Sequence, residues 1–202
     1  MSYLYNLISN LPLKILYSLS TFVSSFLPFF YRGGLVRKNL MKSFPDMTEE
    51  EMKKIYNKFY VNFCDLFFET IKSYSISESE LRERVNFKNF HDISDKLNNN
   101  KKILVLASHQ CNWEWLLLAS QLNLTRPLHV IYKTISDKKF DKIMMYSRSR
   151  FGSILIDSKK AMLYLKRNFK DVDVLAVVAD QSPIKKNRKS WRKLLNQETA
   201  FF

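Results

Sequence analysis

Residues 103–115 read ILVLASHQCNWEW, and the fold class follows from how this segment divides. Its first five residues, Ile103–Ala107, form a short apolar run typical of a strand buried in a parallel sheet. Asn112 is a residue type preferred at the N-cap of a helix, so a helix is predicted to begin directly after it. The segment is therefore predicted to form a strand, a short loop and a helix.

The alternation of strand and helix continues along the chain. Apolar runs and helical periodicity predict helices and strands in the order helix Asn112–Leu122, strand Leu128–Tyr132, helix Asp137–Phe151 ended by Gly152, strand Ile154–Ile156, helix Ser158–Phe169 and strand Val172–Ala179. This order predicts an α/β domain with a largely parallel sheet flanked by helices. Because sites in such domains lie beyond the carboxyl ends of the strands, the loops after the strands are the candidate site positions.

The N-terminal segment differs from the rest in charge and hydropathy. Residues 1–45 contain no Asp or Glu, and Ile15–Phe30 is uncharged and rich in Leu and Phe. Together with Leu11–Leu13 this gives about 20 residues interrupted only by Lys14, roughly the length that spans a bilayer. We predict a membrane anchor with a basic flank at 1–45, followed by a second domain at 46–202 that contains the predicted sheet.

A basic cluster follows the anchor and predicts its orientation, because such clusters are typical of the cytoplasmic side of a membrane. The cluster consists of Arg32, Arg37, Lys38 and Lys42. A signal peptide fits poorly, because no positive charge precedes the apolar run and no small-residue cleavage site follows it. A buried core helix and a helix lying in the membrane interface remain as alternatives.

Two further helix starts are marked by capping residues. Thr48 and Glu51 form a capping box at the start of a helix. That helix carries an apolar stripe that predicts the packing face of an ordinary core helix, with partial contact to membrane as the alternative: Met52, Ile55, Tyr56, Phe59, Tyr60, Phe63 and Phe67. Ser77 or Ser79 is predicted to cap a short helix at Glu80–Arg84.

Composition excludes several classes of protein. The 202 residues include only 3 Gly and 2 Cys, and the sequence has neither a Gly-rich phosphate loop nor a zinc-type cysteine cluster. We therefore predict no metal site and no cofactor. The net charge of +14 indicates a polyanionic partner, which leaves nucleic acid, an anionic membrane face and an acidic or phosphorylated substrate open.

The loop after the first strand carries a candidate catalytic pair. His109 follows the strand and Glu114 lies in the first turn of the next helix, where the helix dipole favours a carboxylate. A carboxylate beside an imidazole fixes its tautomer, and the other ring nitrogen can then take a proton from a substrate hydroxyl. Such a pair suits acyl transfer to an alcohol. It also occurs for purely structural reasons, and Cys111 is an alternative nucleophile or a small buried apolar side chain.

The motif HQCNWE resembles the H-x4-[D/E] motif of the lysophospholipid and glycerophosphate acyltransferase superfamily. The residues Asn112, Trp113 and Glu114 within it are similar to the corresponding motif of the late acyltransferases of lipid A biosynthesis, particularly those of the Bacteroidetes. Further segments agree in order: the Arg-containing segment Arg148–Gly152, the strand end at Ala179–Pro183, and the strand and loop at Trp191–Phe202. Since the family's domain continues past this point, the resemblance predicts a chain that is incomplete at its C-terminus.

The resemblance implies a glycerol-3-phosphate acyltransferase-like fold and a defined reaction. A fatty acyl chain moves from acyl carrier protein or CoA to a hydroxyl of a phosphorylated glycolipid, the lipid A precursor, at the cytoplasmic face of the bacterial inner membrane. His109 is implied as the general base and Glu114 as its partner, with substrate-binding roles for Arg148, Arg150, Asp180 and Gln181.

Alternatives to these assignments follow from the residues themselves. The two arginines also suit a solvated helix end, and Asp180 a turn cap. The basic run at 184–193 suits a solubilising loop, or contact with headgroups or a carrier protein. A different lipid acceptor, a nucleic-acid-binding protein and a non-catalytic remnant are the competing functions. No nucleic-acid-binding motif is present, so nucleic acid is not the predicted partner.

Overall fold

The computed structural model describes residues 2–181 and 190–201. Within these residues the helices are α1 Ser2–Ser9, α2 Leu13–Phe30, α3 Gly33–Ser43, α4 Glu49–Lys72, α5 Glu78–Arg84, α6 His91–Asn98, α7 Trp113–Asn123, α8 Lys138–Ser149 and α9 Ala161–Asn168. The strands are β1 Ile103–Ala107, β2 Leu128–Tyr132, β3 Ile154–Asp157, β4 Val174–Val178, β5 Ser190–Leu194 and β6 Gln197–Phe201.

The first four strands form one parallel sheet in the order β1-β4-β2-β3. Its core is built by Leu97 from α6 and by Leu128, Val130 and Val174 from the two central strands. The alternation of helix and strand from β1 to β4 keeps all four strands parallel, because each crossover passes through helix or turn on a face of the sheet. The predicted α/β fold with a parallel sheet flanked by helices is confirmed.

The described chain forms two compact units. The sheet unit combines the segment ending at Leu11 with Thr70–Ala179, and the helical unit combines Pro12–Glu69 with the described part of Asp180–Phe202. The predicted division between an anchor at 1–45 and a domain at 46–202 concerns function, and it stays a prediction.

Within the sheet unit, α1 is fastened by hydrogen bonds to the segment around residues 70–75. The Tyr5 hydroxyl donates to the carbonyl of Thr70, and the Ser75 hydroxyl donates to the carbonyl of Ser9. The buried ammonium of Lys72 donates to the carbonyl of Leu11 at 3.3 Å. These bonds join residues more than 60 positions apart in the chain.

Within the helical unit, α2 is followed by α3 and α4, and the hairpin β5–β6 is antiparallel. The capping box predicted at the start of α4 is confirmed, because the Thr48 and Glu51 side chains each bind the other's backbone N–H. Among the described residues, α2 is the helix long and apolar enough to cross a membrane, with 18 residues and a mean hydropathy of 1.4.

The bounds of several elements differ from the predicted ones. The helix predicted from Ser158 begins at Ala161, because the Asp157 side chain and carbonyl accept the N–H groups of Lys159 and Lys160 and form a turn. A short 3-10 turn at Phe169–Asp171 follows it. The last strand of the sheet then begins two residues later than predicted, at Val174.

Two other predictions have clear outcomes. The helix predicted to run to Phe151 ends at Ser149, two residues earlier, and Gly152 follows in the turn at φ +99°, a left-handed conformation that favours glycine. The packing face predicted on α4 is only half buried. Met52 and Tyr60 are covered, whereas Phe59 is 39% and Phe67 58% exposed.

Candidate active site

The candidate site is built on the loop that joins β1 to α7. The loop ends at Asn112, whose side chain accepts the backbone N–H of Trp115 at 2.9 Å. This confirms the predicted N-cap, and it places Glu114 in the first turn of α7. The loop residue before the cap, Cys111, adopts a left-handed conformation with φ +49°. It is exposed, so the interpretation of Cys111 as a small buried side chain is wrong.

The Glu114 carboxylate is buried and bound by a guanidinium. Glu114 is 4% exposed, and Arg148 from α8 binds it through both oxygens. The Arg148 Nε–H donates to Oε2 at 2.8 Å, and Nη2–H donates to Oε1 at 2.6 Å. Two parallel charge-assisted hydrogen bonds of this kind fix a carboxylate in position and orientation. The sheet unit therefore presents a carboxylate held in a defined orientation at the start of α7.

His109 is linked to this pair through the ring of Trp113. Its ring is exposed and meets the Trp113 ring edge to face, with centroids 4.9 Å apart. The Trp113 indole N–H in turn donates to Glu114 Oε1 at 3.2 Å. The indole thus contacts both members of the predicted catalytic pair, while the hydrogen bonds described for Glu114 come from Arg148 and Trp113. Direct pairing of His109 with Glu114 stays a prediction.

The remaining predicted site residues are placed separately. Arg150 donates from Nη1 to the carbonyl of Ser73 at 2.9 Å and packs over the ring of Phe151, so its described contacts differ from those of Arg148. Asp180 and Gln181 are exposed and follow β4 directly, as predicted, but they belong to the helical unit.

The basic run predicted at 184–193 falls largely outside the described residues. Lys185, Lys186, Arg188 and Lys189 lie there, whereas Arg192 and Lys193 are exposed on β5.

The comparison with protein families gives one result over nearly the whole chain. The model of a family described as bacterial lipid A biosynthesis acyltransferase matches residues 2–199. The chain belongs to this family. The resemblance seen in HQCNWE and the later motifs is thereby confirmed at the level of the family. No curated protein matches the chain. The protein is an acyltransferase enzyme, and its reaction requires an acyl donor and a lipid acceptor.

The environment of the acyltransferase's ion pair includes a residue that the sequence analysis missed. Tyr5 of α1 is partly buried, and its ring meets the Tyr74 ring edge to face with centroids 5.6 Å apart. Burial and the negative charge of Glu114 raise the pKa of Tyr5 far above its usual value, so the phenol stays neutral. Tyr5 precedes Glu114 by more than a hundred residues, and no local motif marks it.

The charge of Arg148 is secured by its partner. Burial alone disfavours the guanidinium, but the hydrogen bonds and negative charge of Glu114 outweigh burial and raise the pKa of Arg148. The guanidinium of Arg148 therefore keeps its positive charge beside Glu114. Within residues 2–181 and 190–201, no group of three or more His, Cys, Asp or Glu side chains is arranged to hold a metal ion.

Proposed function

We propose that this acyltransferase moves a fatty acyl chain from a thioester, carried by acyl carrier protein or CoA, to a hydroxyl of a lipid A precursor. The observation that carries the proposal is the buried Glu114 carboxylate, clamped by Arg148 at the start of α7, next to the loop that presents His109. A fixed negative charge at this position favours a positive charge on a nearby imidazole, which is the state a general base reaches during the reaction.

The proposed reaction has two steps, attack on the thioester and loss of the thiol. The imidazole of His109 takes the proton of the acceptor hydroxyl while that oxygen attacks the thioester carbonyl. The carbon–sulfur bond then breaks, an ester forms, and the imidazolium returns its proton to the departing thiolate. Glu114 stabilises the transient imidazolium, and the Trp113 indole, in contact with both side chains, holds their spacing.

We assign Arg148 a positioning role in this scheme, because two of its donor groups are bound by Glu114. This differs from the substrate-binding role implied by the resemblance. Substrate binding remains the proposed role of Arg150, Asp180 and Gln181. The forked donors of Arg150 suit a phosphate, and the loop after β4 is a usual place for substrate contacts in α/β domains.

The location of the enzyme is proposed from charge and hydropathy. Residues 1–45 carry no acid, and α2 is apolar enough to enter a membrane. We place the protein on the inner membrane of a bacterium with its catalytic residues in the cytoplasm, because the basic cluster after α2 is attracted to anionic lipid there. The net charge of +14 also favours an acidic carrier protein and a phosphorylated acceptor over a neutral partner.

The test is acyl transfer by membranes that contain the protein. Acyl carrier protein loaded with several chain lengths, or the matching acyl-CoA, is supplied with a tetra-acylated lipid A precursor. We expect His109→Ala to lower the rate by roughly 10²-fold or more, the usual contribution of a general base. His91→Ala is the matched control, because the His91 side chain is 73% exposed and pairs only with its neighbour Asp92 among the described ion pairs.

The two variants give distinct outcomes. Loss of transfer in His109→Ala, with full transfer in His91→Ala and equal amounts of both in the membrane, supports the proposal. A His109→Ala rate within threefold of the parent protein would overturn the role of His109. Transfer to another lipid, with none to the precursor, would correct the acceptor while retaining the chemistry.

A further inference from the structure

The apolar helix α2 is bound along the charged helix α4. Near the start of α2, the Tyr17 hydroxyl donates to the Glu69 carboxylate at 2.6 Å, and the Ser20 hydroxyl donates to Asp65. After the end of α2, the carbonyl of Tyr31 accepts the hydroxyl of Tyr60 at 2.7 Å. Later residues of α2 therefore contact earlier residues of α4. The two helices are antiparallel neighbours from Tyr60 to Glu69, a span of roughly 14 Å at 1.5 Å per residue.

The side of α2 away from α4 is a broad aromatic and aliphatic surface. Phe22 is 66% and Phe26 is 52% exposed, with their rings 5.3 Å apart, and the last two residues of the helix, Phe29 and Phe30, are more than 80% exposed. At 100° per residue, these side chains share one face. Four large aromatic side chains on one face are more apolar surface than a water-exposed helix ordinarily carries.

A third side of α2 is polar. Lys14, Ser18, Thr21 and Ser25 are exposed and follow each other at intervals of four, three and four residues. The hydroxyl groups of this strip donate to carbonyls of their own helix. The helix therefore has a face bound to protein, an apolar face and a polar face, which is the pattern of a helix at a membrane surface.

The apolar surface extends onto α4. Its stripe of Ile55, Phe59, Phe63 and Phe67 is 37–58% exposed. The ring of Tyr31, at the end of α2, stacks on Phe63 at 5.5 Å, and Phe63 stacks on Phe59 at 5.9 Å. The exposed stripe that the sequence pattern assigned to packing is thus joined to the end of α2 by ring contacts.

Charge identifies the occupant of this surface. Lys14 lies near the start of α2 and Arg32 directly after its end, and α3 adds exposed Lys38 and Lys42. No acidic residue occurs anywhere in residues 1–45. Cations at both ends of an apolar helix match the headgroups of an anionic lipid surface.

We infer that α2 lies in the plane of the membrane interface beside α4, and that the exposed faces of both helices dock on anionic lipid. A helix that crosses the bilayer would carry its hydrogen-bonded partners Asp65 and Glu69 into the hydrocarbon, where carboxylates are strongly disfavoured. It would also place Lys14 and Arg32 at opposite surfaces of the membrane. This inference rests on the proposed membrane location and specifies its geometry.

Cysteine labelling separates a helix that lies in the interface from one that crosses. Tyr3→Cys and Met162→Cys are made in a Cys111→Ser background, since both positions are about 80% exposed and the remaining Cys64 is buried. An impermeant maleimide is applied to sealed vesicles of each orientation. We expect both cysteines to react from the same side of the membrane. Reaction of Tyr3→Cys from the side opposite to Met162→Cys would overturn the inference.

Vesicle binding tests the surface itself. We expect the Phe22→Ser/Phe26→Ser double variant to bind vesicles containing phosphatidylglycerol at least tenfold more weakly, because two exposed rings no longer enter the lipid. Met162→Ser is the control, since Met162 is exposed but lies in α9 of the sheet unit. Circular dichroism of all variants checks that they are folded.

Unchanged binding by the double variant, or equal loss in Met162→Ser, would overturn the docking surface. These results are independent of the catalytic test. Acyl transfer measured in detergent micelles reports on the proposed reaction, whereas labelling and vesicle binding report only on the arrangement of α2.

Discussion

Replacing Arg148 with alanine tests how much stability depends on the ion pair between Arg148 and Glu114. The variant leaves a carboxylate that is 4% exposed without the donors that lie 2.6 and 2.8 Å from its oxygens. Breaking a buried ion pair by removing one partner costs about 3–5 kcal/mol. The Arg148 side chain is 19% exposed, so water can enter the vacated space, and the Trp113 indole still donates to the carboxylate. We therefore expect the free energy of unfolding to fall by about 3 kcal/mol, the lower end of that range.

The matched control removes both charges together. The double variant Glu114→Gln/Arg148→Met leaves no buried charge, so it should recover more than half of the stability that Arg148→Ala loses. Urea unfolding at pH 7, followed by circular dichroism, measures all three proteins. A loss below about 1 kcal/mol in Arg148→Ala, or a double variant no more stable than the single one, would refute the reasoning that an unpaired charge is the source of the instability.

The same reasoning predicts a pH dependence for Arg148→Ala. A buried carboxyl that has lost its cation binds a proton more readily in the folded chain than in the unfolded one. The folded variant then holds more protons, so its stability falls as the pH rises. The stability deficit of Arg148→Ala relative to the parent protein should be larger at pH 8 than at pH 5. Equal deficits at both values would assign the loss to packing rather than to charge.

Two further predictions concern local geometry, and both are measured by urea unfolding. Ser77→Ala should lose about 1 kcal/mol at pH 7, because Ser77 and Glu80 form a complete capping box at the start of α5. Burial alone would raise the pKa of Glu80, but hydrogen bonds from Ser77 outweigh burial and lower it. The loss of unfolding free energy in Ser77→Ala should therefore shrink as the pH falls through that lowered pKa. A loss that stays constant with pH would contradict this explanation. Gly33→Ala should destabilise by about 1–3 kcal/mol, since its Cβ would lie 2.5 Å from the carbonyl oxygen of Pro28. Gly34→Ala meets nothing within 4 Å and should not destabilise, so equal losses at the two glycines would contradict the steric explanation.

The parts of the fold that depend on neighbouring residues could be predicted from the sequence. The bounds of β1 and β2 agree with the apolar runs, because a short apolar segment between polar residues has few alternatives within an α/β pattern. Asn112 was identified as an N-cap because its side chain acts on a backbone N–H only three residues away.

The contacts that make the site could not be predicted in the same way. Glu114 and Arg148 are 34 residues apart and lie on different helices, so no local pattern reveals that each is the other's partner. The resemblance to a family marks Arg148 as a site residue, but it does not reveal the contact of Arg148 with Glu114. Tyr5 was missed for the same reason, because its approach to Glu114 depends on how α1 is held in the sheet unit.

The stripe on α4 shows a different limit. Its period identifies one face of a helix, but periodicity does not distinguish a face covered by protein from one that meets lipid. Tyr60 and Phe63 are three residues apart and lie next to each other on the helix surface. Tyr60 is buried, whereas Phe63 is exposed. That difference arises from the placement of α2, which lies 30 residues or more before them in the chain.

The fastening of α1 determines how the enzyme can be produced for study. Deleting the N-terminal residues is a common way to obtain a soluble form of a membrane-attached protein. Here the deletion would remove the carbonyls of Ser9 and Leu11, which accept hydrogen bonds from Ser75 and from the buried ammonium of Lys72. A shortened protein would lose α1 from the sheet unit, together with α2, the helix that we propose to bind lipid. Detergent or lipid nanodiscs around the full chain are therefore the appropriate route to purified enzyme.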